Sequence, residues 1–343
     1  MPTTYGETIK APRSWTRPEE HYLAVLEDPW YRNLTVLQDI VTHSTTEFWT
    51  AKGARNLHLP ITTGSISSPM GRGSDSSPVE VELEGVRTYL ADSMQFMLEF
   101  GCRVAPQGAY YLMPSFRGEQ ADQTHLCQFF HSEAEIPGGL DEVMAVVEEY
   151  LRHLAASFLI HGRQIVTEVA GTVEHLEILA GSSTLPRVSF EEAVDLLAGE
   201  PDTVNVLESQ CRSLTRKGER LLMDKFGGYV WLTHPDHLSV PFYQAFAPDD
   251  PTKALSADLL FGIGETVGAG ERHTGVADLR RALALHEVPE DAYRWYVDMN
   301  ALHPLRTSGF GLGVERFLLW VTRHDDIRDL ALLLRFNGMD ILP

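Results

Sequence analysis

Seven charged residues sit inside, or at the ends of, apolar strand-like runs: Arg117, Glu119, Glu133, Asp258, Glu265, Arg272 and Arg316. A charge in apolar surroundings is costly unless it is paired or binds an ion. Three arginines and four acids brought to one sheet suit a polyphosphate with a divalent metal. The guanidinium forks of Arg117 and Arg316 match phosphate oxygens. The carboxylates of Asp258 and Glu265 match the hard-oxygen preference of Mg2+. An internal ion-pair network is the other arrangement that these residues allow.

Arg316 closes the octet Gly309-Phe310-Gly311-Leu312-Gly313-Val314-Glu315-Arg316. Its glycines alternate with apolar residues, so one face of the strand carries no side chain. Glycine inside a strand marks the close approach of a ligand or another backbone. The spacing is not that of the dinucleotide-binding turn. An apolar helix follows from Phe317.

The elements that must position these groups follow from periodicity. Helical spacing starts at Asn33, through Leu34, Leu37, Ile40, Val41, Phe48 and Trp49, and ends near Gly53. Residues 54–63 read as a strand holding Pro60. Residues 64–78 are rich in Gly, Ser and Pro, and read as either a lid or an inert loop. Val79–Leu83 alternates as a strand, and a helix is expected from Tyr89–Phe96 onward. Tyr110–Phe116 and His125–Glu135 read as strands, the second with Glu133 and Glu135 on one face. Asp141 is expected to cap a long helix with a stripe through Val143, Val147, Leu154 and Phe158. Ser189 and Glu192 form a capping box.

Residues 203–225 read as one helix, and the basic run Arg212–Arg220 as its solvated face. Tyr229–Thr233, Pro241–Phe246 and the pair within 258–272 read as strands. Two further helices lead to the octet, and a last helix runs towards the C-terminus. Residues 1–30 read as a surface extension and 31–343 as one domain.

The formal net charge is −20, which disfavours a large polyanion as partner because nucleic-acid affinity rests on cations meeting phosphates. Three scattered cysteines, Cys102, Cys127 and Cys211, imply reduced thiols. With no signal peptide or membrane-spanning run in the sequence, a cytoplasmic location is expected.

The octet resembles motif 3 of the class II aminoacyl-tRNA synthetases, GxGxGxER. Phe116-Arg117-Gly118-Glu119, a loop and His125-Leu126-Cys127-Gln128-Phe129 resemble motif 2 of the aspartyl/asparaginyl branch, FRxE…(R)HLxEF. Tyr89–Gln95 resembles its YLxQSxQ stretch, and Asp258-Leu259-Leu260 with Gly264-Glu265 and Arg272 its DLL…GEIxGGxxR segment. The helix and Pro60 strand resemble motif 1 more loosely.

The resemblance implies an α+β fold, a class II synthetase-type antiparallel sheet flanked by helices, in a homodimer. It implies an AMP-forming ligase that uses ATP and Mg2+. Arg117 and Arg316 would be catalytic. Glu119, His125, Phe129 and Glu265 would complete the ATP site, and Asp258 with Glu265 would bind the metal. Ser93, Gln95, Glu133 and Arg272 would hold the amino acid.

Only about 30 residues precede motif 1, too few for the five-stranded anticodon-binding barrel of that branch. With the net charge, this makes tRNA an unlikely acceptor. Leu98 stands where the aspartyl enzymes place a side-chain-reading lysine. The expected function is therefore an asparagine synthetase-like amide ligase. It would bind aspartate reversed, activate its β-carboxylate and pass the acyl group to ammonia or an amine. The alternative is an asparagine-activating aminoacyl transferase with a tRNA, protein or small-molecule acceptor.

Overall fold

The structure, a computed structural model, describes residues 8–67, 77–206 and 211–342. An eight-stranded sheet forms its centre. In chain order its strands are β1 (Arg55–Asn56), β2 (Ala109–Phe116), β3 (Gln128–Pro137), β4 (Arg187–Ser189), β5 (Val230–Thr233), β6 (Ser256–Phe261), β7 (Gly264–Glu271) and β8 (Thr307–Gly313). The spatial order is β1-β2-β3-β8-β7-β6-β5-β4. Only the outermost pairs are parallel; the six inner strands run antiparallel. This is the expected α+β sheet flanked by helices.

Period-two alternation gives the sheet two different faces. Val267 and Ala269 of β7, and Phe310 and Leu312 of β8, enter one apolar core. There they meet Val41, Phe48 and Trp49 of helix α1 (Pro29–Ala51) and Val147, Tyr150 and Phe158 of helix α3 (Leu140–His161). The Tyr150 hydroxyl, buried there, lies 2.6 Å from Thr45 Oγ1 and 2.8 Å from Ser132 Oγ, so its polar end is satisfied. The intervening residues of β7 and β8 are glycines, on the face opposite this core. Helices α2 (Gln95–Val104), α4 (Arg216–Lys225), α5 (Arg294–Leu302) and α6 (Val314–Thr322) complete the frame used below.

Several local expectations are corrected. Residues 54–63 hold two two-residue strands rather than one, with Pro60 between them. Pro has no N–H to donate to a ladder. Tyr89 and Leu90 end a strand, and α2 starts only at Gln95. Helix α3 is capped at Gly139, whose N–H donates to Glu142 at 2.9 Å, while Asp141 pairs with Arg187. In place of one helix, residues 203–225 hold two antiparallel strands, Val204–Val206 with Arg212–Leu214, and then α4, started by Thr215 Oγ1 accepting from the Gly218 N–H.

Residues 241–246 form isolated bridges instead of a strand. The last helix ends at Thr322. The Ser189–Glu192 capping box is present. The segment before α1 and the first turn of α1 are pinned to the C-terminal part: Arg13 pairs with Asp329 at 2.9 Å and the Trp30 indole donates to the Asp329 carbonyl. Most of the Gly/Ser-rich stretch, 68–76, lies outside the described residues.

Candidate active site

The glycines of β7 and β8 form a block in register, Gly268 opposite Gly311 and Gly270 opposite Gly309. Each makes room for one or two polar side chains. A Cβ on Gly309 would fall inside the Glu135 carboxylate, and one on Gly270 inside the Gln244 amide. On Gly311 it would lie 2.7 Å from Glu133 Oε1 and 3.4 Å from Gln95 Nε2. On Gly268 it would lie 3.2 Å from Glu265 Oε1 and 3.7 Å from Asp258 Oδ1. The bare face is thus the floor of a site with two ends.

The end over Gly309 and Gly270 is closed by hydrogen bonds. Arg272 is 2 % exposed. Its Nε and Nη2 donate to the two oxygens of Glu135, each at 3.0 Å. Nη1 donates to Gln244 Oε1 at 2.9 Å, Nη2 to Gln95 Oε1 at 3.3 Å, and the guanidinium lies over the Tyr243 ring. Glu133 accepts from Ser93 Oγ at 2.6 Å, from Gln95 Nε2 at 3.4 Å and from the Tyr111 hydroxyl. Burial pushes the Glu133 carboxyl up to about 8, and neighbouring Asp92 adds to this. Burial also raises Glu135, against the pull of Arg272. Leu98 packs in an apolar cluster with Ala91, Met94 and Tyr111.

The end towards Gly268 and Gly313 opens into a cavity of about 420 Å³ lined by Arg117, Glu119, His125, Phe129, Glu265 and Arg316, among others. Among the described residues, donors and acceptors are left over here. Arg117 lies 5.4 Å over the Phe129 ring with its Nε buried and unpartnered. Glu119 accepts from the Ser77 N–H at 2.5 Å, while its Oε2 is buried without a partner. Arg316 donates to the Glu265 carbonyl at 2.5 Å. Burial lowers the Arg316 pKa, and Arg117 lowers it further. Burial and Arg316 likewise lower His125.

Asp258 is raised well above the usual carboxylate range by burial, then by Glu265 and Glu219. The two carboxylates that share the room over Gly268 suit a hard divalent cation. Among the described residues no three His, Cys, Asp or Glu side chains are already arranged to hold a metal.

The structure therefore brings the expected residues together as two groups. Ser93, Gln95, Glu133 and Arg272 form the closed end, and Arg117, Glu119, His125, Phe129, Asp258, Glu265 and Arg316 the open end. His125 and Arg117 flank their strands rather than lying in them. Sequence reasoning left Glu135, Gln244, Arg216 and Glu219 without a role. Glu135 was signalled by its two-residue spacing from Glu133. Gln244 had no signal, because its segment is not a strand.

A family model for class II tRNA synthetases (D, K and N) matches residues 14–336. The chain belongs to this family. It is 27% identical to the asparagine–tRNA ligase of Koribacter versatilis over 327 residues, covering 91% of this chain and 72% of that protein. It is 32% identical over 256 residues to the asparagine–tRNA ligase of Pyrococcus horikoshii, covering 72% of this chain and 56% of the relative.

The crystal structure of asparaginyl-tRNA synthetase from Pyrococcus horikoshii complexed with asparaginyl-adenylate superposes with a TM-score of 0.87 at 24% identity, over 97% of this chain and 74% of that one. The Entamoeba histolytica enzyme with asparaginyl-adenylate gives 0.79 at 20% identity, over 97% and 73%. The family is one of AMP-forming ligases. The expectation that tRNA is an unlikely partner is overturned, since the relatives matched along most of the chain are tRNA ligases. Among the described residues no helix is long and apolar enough to cross a membrane.

Proposed function

We propose that this domain activates asparagine with ATP, giving asparaginyl-adenylate and pyrophosphate, and passes the asparaginyl group to tRNA. One observation carries the choice of amino acid: Arg272 is already held by both oxygens of Glu135. Reversed aspartate would bring a carboxylate to a neutralised arginine, beside Glu133, in a buried pocket. A neutral carboxamide asks for no free cation. Its NH2 can donate to Glu133 and its oxygen can accept from Arg272, so no buried charge is left uncompensated. The preference for aspartate and ammonia loses its physical basis.

The chemistry is in-line attack by the α-carboxylate on the α-phosphorus. The unpartnered Nε of Arg117 faces charge that grows on the α-phosphoryl oxygens, and Arg316 and His125 hold the departing phosphates. Phe129 offers a stacking face for adenine, and the free Oε2 of Glu119 an acceptor for its amino group. Mg2+, held by Asp258 and Glu265, would offset phosphate charge. The same proposal takes residues 31–343 as the catalytic domain, in a homodimer.

ATP–pyrophosphate exchange with each amino acid tests the reading. Asparagine alone should support exchange, and adding tRNA should convert the adenylate to asparaginyl-tRNA. Exchange with aspartate, and formation of an amide on adding ammonia, would overturn it.

A further inference from the structure

The open end contains a third arginine, from an element outside the motifs. Arg216, the first residue of α4, lines the same cavity as Arg117 and Arg316. Its Nη2 lies 3.2 Å from His125 Nδ1. Its ion pair with Asp122 is long, 3.8 Å, and its side chain is 59% exposed. Such a pair holds an arginine weakly, so the fork is available to an incoming anion. The helix that carries it is fixed closely: a Cβ on Gly218 would fall inside the Thr203 carbonyl, so α4 lies directly against the residue that leads into the Val204–Val206 strand. One turn on, Glu219 reaches Gly264 and the acid group around Glu265. Arg216 therefore faces the cavity mouth by design of its helix.

Resting on the proposed use of ATP, we propose that Arg216 binds the β,γ-phosphates of the nucleotide. The phosphate tail is then held from the sheet side by Arg117 and Arg316, and from the opposite wall by Arg216. Three cations around one cavity repel one another until a polyanion enters. Burial is the main cause of the lowered pKa values of Arg316 and His125, and repulsion from Arg216 adds to it. A fork-to-phosphate contact is charge-assisted and two-pronged, which a lysine matches only as a point charge.

The test is binding of AMP and of β,γ-methylene-ATP to the full chain, wild type and Arg216→Ala, by calorimetry. The variant should bind the triphosphate analogue about tenfold more weakly, with AMP affinity unchanged. Arg216→Lys should fall between. In exchange assays the KM for pyrophosphate should rise by the same factor in Arg216→Ala relative to wild type. Unchanged triphosphate affinity in Arg216→Ala, or an equal loss for AMP, overturns the role of Arg216 and leaves asparagine activation standing. Wild-type protein that binds both nucleotides equally overturns the ATP reading as well.

Discussion

The two ends of the glycine floor differ in how their polar groups are satisfied. At the closed end, Arg272, Glu135, Gln244, Gln95, Glu133, Ser93 and Tyr111 already bind one another. At the open end, Arg117 Nε and Glu119 Oε2 have no partner among the described residues, and Arg216 is loosely paired. A closed network selects by shape and by what it will not neutralise. An open one waits for the ligand to complete it. On the proposed function, selectivity and catalysis are separated along one strip of sheet, and substitutions at the two ends should fail differently.

The largest effect is expected at the open end. Arg316→Ala, and separately Arg117→Ala, should lower the exchange rate by about 100-fold or more, since each removes a donor aimed at phosphate charge. Folding stability should change less, because among the described residues no ion pair holds Arg117, and Arg316 donates to a backbone carbonyl rather than to a paired carboxylate. A stability loss matching the loss of activity would erase the contrast between the ends.

At the closed end the order reverses. Glu135→Ala leaves Arg272 buried and unpaired, which should cost about 3 kcal/mol in chemical denaturation. The milder Glu135→Gln frees the arginine for a carboxylate, and exchange with aspartate should appear. If it does not, Arg272 pairing is not what rejects aspartate. Smaller still is Gly311→Ala, whose Cβ would lie 2.7 Å from Glu133 Oε1. The carboxylate must shift, so the KM for asparagine should rise about tenfold with the KM for ATP unchanged.

The subtlest effect is on pH dependence. Glu133 has a folded pKa of about 8, above the value of a free carboxyl, with burial as the main cause. Its stabilisation is therefore full below the unfolded pKa and is lost as pH rises to about 8. Glu133→Gln, which cannot ionise, should gain stability relative to wild type as pH goes from 5 to 8. Urea midpoints measured at both pH values give the sign. A difference that does not change with pH would mean that Glu133 ionises freely in the fold.

Much of this site was legible because β-structure writes a period of two into the sequence. Gly309, Gly311 and Gly313 announced a bare face, and Glu133 with Glu135 a polar row on the neighbouring strand. What stayed hidden depends on non-local contacts. Glu135 was visible, but its pairing with Arg272 spans 137 positions and has no local signature. Residues 203–225 have enough helical spacing to mask two antiparallel strands. Arg216 and Glu219 therefore looked like a solvated face, although the helix they start points into the cavity. Gln244 sits in a segment held by bridges rather than by a ladder, where alternation carries no information.

The glycine block has a consequence for motion. A floor without side chains has no rotamers to rearrange, so its shape is set by the backbone ladder between β7 and β8. Opening it requires parting the inner strands of the sheet, and such openings approach the cost of global unfolding. The ladder amides of residues 268–270 and 309–311 should therefore be among the slowest in the protein to exchange with deuterium, with or without substrate, while the side chains above them adjust.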